Sequence, residues 1–126
     1  MKTIEKWIGH HFSTGSSIGE DYAQFQREAI SDLRKMCKGA FTVAANKNHY
    51  EFSAVLEHVN SGKFVYVSIP DVRFFQDQWY NHVLIRTMAH PQDWTGGPNN
   101  YCWWEDIRKT ALKLIGESSS RRIAGY

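Results

Sequence analysis

The sequence predicts an α+β fold: a single domain in which an antiparallel sheet of three to five strands packs with two main helices. Two stretches near the ends of the chain carry apolar residues at three- and four-residue steps, the period of a helix with one buried face. Between them the period changes to two, as in strands that bury one side. Clusters of Asn, Ser and Gly separate the alternating stretches and supply the turns of hairpins. The order helix, strands, helix gives two layers, with the helices against one antiparallel sheet.

Thr3 to Ile8 reads as a short extended piece, followed by the polar loop His10 to Ser17. Ser17 and Glu20 have the spacing of a capping box, and Ile18, Tyr22, Phe25, Ala29, Leu33 and Met36 then recur on one face. The first main helix is therefore expected over 19–38, with Gly39 as its stop. From Ala40, Phe41, Val43 and Ala45 alternate with small or polar residues, and Asn46-Lys47-Asn48 reads as a turn. Tyr50, Phe52, Ala54 and Leu56 alternate in the next strand, and Asn60-Ser61-Gly62 closes a hairpin onto 63–69. Pro70 ends that strand, and a fourth is expected over 82–87. The second main helix is expected from about Tyr101, with Trp104, Ile107, Ala111, Leu114 and Ile115 as its buried stripe. Gly116 reads as its end, and 117–126 as a flexible basic tail.

A chain of 126 residues makes about one domain, 1–126, large enough to fold without staples. The net charge of +2 is mild and no basic stripe is visible, so duplex nucleic acid is not the expected partner. Cys37 and Cys102, expected on separate helices, have no CxxC partner and read as reduced, core-facing thiols. No apolar run approaches the roughly 20 residues of a membrane span, and the first residues lack a signal-peptide pattern. The expectation is a soluble cytoplasmic protein with no membrane partner. Aromatic residues make up 14% of the chain, a surplus suited to stacking surfaces or a subunit interface.

The stretch Tyr80 to Asn100 concentrates binding chemistry around one short apolar strand, Val83-Leu84-Ile85. Arg86 offers a planar fork of donors for phosphate or carboxylate. Gly96 and Gly97 allow backbone N–H groups to turn inward as an anion nest, and Trp94 offers a flat face. The same composition also serves a long turn whose glycines only permit unusual backbone angles. Polar groups carried directly from the end of a rigid strand favour a binding loop. A second candidate anion site is the Ser13 to Ser17 loop at the start of the first helix, where the dipole and N–H groups favour negative charge; simple capping by serine is the alternative.

Six histidines invite a metal, yet none stands at ligand-like spacing, so no metal or other cofactor is expected. Of the paired H-x-T/S units of a two-histidine phosphodiesterase, only His11-Phe12-Ser13 is present. His90 with Asp93 has the spacing of an oriented acid-base pair and equally of a hydrogen-bond network for a ligand. Walker, GxGxxG, GxSxG and Cys-His nucleophile patterns are missing, so no familiar enzyme class is supported and no catalytic residue is assigned.

The segments FSTGSS before the first helix, DVRFF from residue 71, WYNHVLIRT through residue 87 and DWTGGPNN from residue 93 together resemble the phage Thoeris anti-defence 1 family. The resemblance covers about residues 11–115. It implies a homo-oligomeric sponge that sequesters cyclic ADP-ribose derivatives, and in some members cyclic oligonucleotides, in host cytoplasm without cleaving them. Such a ligand presents an adenine face, riboses and a pyrophosphate. Residue chemistry then makes Phe75, Trp79 and Trp94 candidates for stacking. Asn81, Asp93, Asn99 and Asn100 are candidates for hydroxyls. Arg73, Arg86, Thr95, Gly96 and the serine loop, with His11, Ser13 and Ser16, are candidates for phosphates; His90 completes the set. Replacing Arg86 by alanine is expected to weaken binding by at least ~1.5–3 kcal/mol, the scale of a charge-assisted contact, and to leave the fold intact. The alternatives are a phosphodiesterase-like enzyme acting on a nucleotide signal and an inhibitor that contacts a host effector directly.

Overall fold

The computed structural model describes residues 2–10, 12, 20–46, 52–69, 79–91, 93 and 97–124. Among the described residues three α-helices, α1 (Lys2–Glu5), α2 (Glu20–Met36) and α3 (Ile107–Ala124), accompany five strands: β1 (Phe41–Asn46), β2 (Phe52–His58), β3 (Phe64–Ile69), β4 (Val83–Met88) and β5 (Asn100–Cys102). The strands form one meander in the order β1-β2-β3-β4-β5, every neighbouring pair antiparallel. The expected α+β domain of sheet and two main helices is thus the observed one.

Helix α2 forms where the apolar period is 3.6. Tyr22, Phe25, Ala29 and Leu33 are buried along one stripe, while Glu20 and Asp21 in the first turn and Arg34 and Lys35 in the last complement the helix dipole. After α2 the chain turns at Gly39, whose φ of 86° only glycine adopts without strain, and enters β1 at Phe41. The hairpin between β2 and β3 turns likewise at Gly62, with φ of 71°. Its tip is fixed by the Gly62 N–H on the His58 carbonyl and by His58 Nδ1, 2.8 Å from Ser61 Oγ.

One face of the sheet carries the core. Phe52, Ala54, Leu56, Val65, Val67, Ile69, Val83 and Ile85 meet Phe25 and Leu33 of α2 and Ile107 and Ala111 of α3 in one buried cluster. Trp104 is a keystone of this layer, because its indole N–H donates to buried Asp32 Oδ2 at 2.7 Å and so joins the start of α3 to α2. At the sheet edge, Arg34 reaches from α2 to the Val43 carbonyl of β1.

Three local expectations are corrected. Thr3 to Ile8 is not extended: α1 and the turns after it take its place, because Ile4 and Trp7, three residues apart, are buried together while Glu5, Lys6 and Ile8 face outward. Tyr101 does not begin a helix. Asn100–Cys102 instead pairs with Val83–Ile85, followed by a single 3₁₀ turn over Trp104–Asp106 before α3. Cys102 therefore sits on a strand. Gly116 does not end α3, which continues to Ala124. A lone glycine inside a helix costs about 1 kcal/mol and does not by itself break it.

Candidate functional site

The second face of the sheet lies opposite the two main helices, yet its central part on β2, β3 and β4 is buried too, while Thr42, Ala44 and Tyr101 on the outer strands are exposed. In the register, Ala44, Val55, Tyr66 and Arg86 form one cross-strand row, and Asn46, Ser53, Ser68, Leu84 and Tyr101 the next. Ser53, Val55, Ser68, Arg86 and Met88 are all buried, none of them as part of the helix-side core. Two buried serines and a buried arginine are costly on an apolar sheet unless they have partners.

Arg86 is the centre of this face and is only 7% exposed. Its guanidinium lies 4.8 Å above the ring of its cross-strand neighbour Tyr66, a cation–π arrangement. Its Nη2 donates to the Asp93 carbonyl at 3.1 Å. Its Nη1 is buried and has no hydrogen-bond partner among the described residues. In the adjoining row the amide Nδ2 of Asn46 is likewise buried and without a partner there. A donor on an always-charged group, withdrawn from water and unmatched, wants an acceptor, and a negatively charged one most of all.

The loop after β4 is built around the same arginine. Asp93 Oδ2 accepts the Ala89 N–H at 2.9 Å, the Asp93 N–H donates to the His90 carbonyl, and Arg86 holds the Asp93 carbonyl. The Gly97 N–H donates to the Thr87 carbonyl, and a β-carbon at Gly97 would collide with the Thr87 hydroxyl. Glycine is required there for close approach of the loop to β4.

The sequence candidates divide accordingly. Arg86 and Asp93 come together, although one Asp93 oxygen and its carbonyl are already used to shape the loop. Asn100 pairs with Ile85 on the helix-side face, and its Nδ2 donates to the Pro98 carbonyl, so it points away from Arg86. His90 and Asn99 are exposed on the loop. Asn81 lies before β4, at the opposite end of the strand from Asp93, about 17 Å away along six residues; its Oδ1 is buried without a partner among the described residues. The two ends of β4 therefore cannot contribute to one small contact. Trp79 begins the 3₁₀ turn that precedes β4. Arg73, Phe75, Trp94, Thr95, Gly96, His11, Ser13 and Ser16 lie outside the described residues.

Sequence reading missed Tyr66, Ser53, Ser68 and Asn46. The signal was weak: on this face β2 carries only Ser53 and the apolar Val55 before the exposed Glu57, and the burial of every residue from Phe52 to Leu56 is visible only in the fold. Among the described residues no group of three or more His, Cys, Asp or Glu is placed to hold a metal, and no helix is long and apolar enough to cross a membrane. No known protein family, curated protein or solved structure matches the chain.

Proposed function

We propose that the protein captures a small anionic, nucleotide-type ligand on the second face of the sheet and holds it without cleaving it. The observation that carries this reading is the buried, unmatched Nη1 of Arg86, seated on Tyr66 and braced by Asp93. A guanidinium fixed in this way is ordered before the ligand arrives, so binding loses little side-chain entropy. Ser68, in the adjoining row of the neighbouring strand, adds a hydroxyl near a phosphate or ribose, while Ser53 and Asn46 lie two and three strands away on the same face. With the resemblance to the Thoeris anti-defence 1 family, the ligand is a cyclic ADP-ribose isomer or a cyclic oligonucleotide, and the role is sequestration of an immune signal in host cytoplasm by a homo-oligomer.

Calorimetric titration with cyclic ADP-ribose and with ADP-ribose tests the site. Arg86→Lys keeps the charge and loses the planar fork, and is expected to weaken binding at least tenfold while the far-UV dichroism stays that of the parent. Equal affinity in the parent and Arg86→Lys, or no binding of any nucleotide by folded protein, would remove Arg86 from the ligand site.

A further inference from the structure

On the helix-bearing side of the molecule a cavity of about 420 Å³ opens between the N-terminal segment and the start of α3. That volume is within the range of ligand pockets, roughly 300–1,000 Å³. Among the described residues it is lined by the aromatic Tyr80, Trp103 and Trp104, the aliphatic Ile4 and Ile8, and the acidic Glu5 and Glu105. Tyr80 and Trp103 meet at 5.1 Å between ring centres with planes 55° apart, forming a corner of two aromatic faces. Trp104 is pinned from behind by its bond to Asp32, so that wall is rigid. Trp103 and Ile8, in contrast, keep 45% and 37% of their surface exposed at the mouth.

The charge at this cavity is opposite to that at Arg86. Glu5 and Glu105 are exposed, their carboxylates have no hydrogen bond or ion pair with the described residues, and no basic side chain is among the described lining residues. An anionic nucleotide would be repelled here. Aromatic faces attract a cation through their quadrupole, and two carboxylates at the rim add to that attraction. The aliphatic side chains of Ile4 and Ile8 favour a ligand with a hydrocarbon body over a hydrated inorganic ion.

We infer that this cavity is a second binding site, distinct from the Arg86 face, and that it takes a small organic cation with an apolar or aromatic body. The occupant is a quaternary or aromatic ammonium compound. Its recognition resides in the Tyr80–Trp103 corner and in the Glu5 and Glu105 charges.

The test is a tryptophan-fluorescence and NMR titration of the full chain with phenyltrimethylammonium, beside tert-butylbenzene as its neutral isostere and benzoate as an anion. Saturable binding of the ammonium compound is expected, at least tenfold tighter than that of the neutral isostere, with benzoate not bound. Shifts should map to Trp103, Trp104 and Tyr80. The double variant Glu5→Gln/Glu105→Gln should lower affinity for the cation at least fivefold and leave that for the neutral isostere unchanged. Equal binding of cation and isostere, or no loss in the double variant, would make the cavity merely apolar and overturn the inference. So would the absence of saturable binding to a protein whose dichroism and NMR dispersion are those of a folded chain. Arg86→Lys, which acts on the other face, should leave this titration unchanged.

Discussion

At the scale of single residues, Arg86 does more than its place in the sequence suggested. Its burial and its bond to the Asp93 carbonyl make it a brace for the loop after β4 as well as the donor offered to a ligand. The expectation that Arg86→Ala leaves the fold intact is therefore revised. Loss of a charge-assisted bond and its packing on Tyr66 should cost about 1.5–3 kcal/mol of stability, measured by chemical denaturation, in addition to abolishing nucleotide binding. No change in stability would show that the Asp93 contact contributes nothing. Gly97 gives a second test at this scale. Gly97→Ala places a methyl group against the Thr87 hydroxyl and should raise amide exchange at Ala89 and Asp93, whereas Gly97→Ala/Thr87→Ala should restore much of the protection. Unchanged exchange in Gly97→Ala would contradict the close approach. The arginine was legible in the sequence because few residue types can serve its chemistry. Tyr66 and Ser68 were not, because only the strand register places them next to Arg86.

At the scale of elements, regular periodicity was readable and short pieces were not. Helix α2 and strands β1 to β4 fall close to the expected positions, since each carries enough residues to express its period. Strand β5, with three residues, has no period to read, and its place is set by pairing with β4. The N-terminal segment was misread for a similar reason: its order comes from docking on α2. Glu28 is the anchor, accepting from Trp7 Nε1 at 3.0 Å and from Gln24 and pairing with Lys6 at 3.0 Å. The Trp7 bond above all, then Lys6 and Gln24, holds its carboxyl below the ordinary 4.5, with burial acting in the opposite direction. A lowered folded pKa gives stability that is present above the ordinary value and is lost as pH falls through the folded one. Amide protection at Ile8 and His10 should accordingly decline below about pH 4.5 in the parent, and Glu28→Gln should reduce that acid dependence. Protection independent of pH would contradict the anchor. In α3, Gly116 has open space around it and is not at positive φ. Gly116→Ala should therefore stabilise by about 0.5–1 kcal/mol; a loss of stability on thermal melting would restore it as a helix stop.

At the scale of the whole molecule, one sheet separates two chemistries. Its helix-side face is an aromatic and aliphatic core, while the opposite face carries a buried cation and hydroxyls that the core does not require. The division was only partly legible: alternation showed that the strands have two faces, but did not show that the second is buried at its centre around Ser53, Ser68 and Arg86. The core itself is tight around Cys37, whose thiol is pushed up to about 11 by burial, with Arg108 opposing weakly. Almost no thiolate is present at pH 8, and a maleimide or aromatic disulfide reagent should label Cys37 only as fast as the protein opens. Rapid labelling of the native chain would show a looser core. The central claim is that the polar face captures a nucleotide anion and releases it unchanged. Its most direct test is mass spectrometry of the supernatant after folded protein is incubated with cyclic ADP-ribose isomers and cyclic oligonucleotides, washed and then heat-denatured, with Arg86→Lys in parallel. The expected result is an intact ligand released from the parent only on denaturation and strongly depleted in the variant. A ligand of altered mass would make the protein an enzyme, and retention of none by the folded chain would contradict capture altogether.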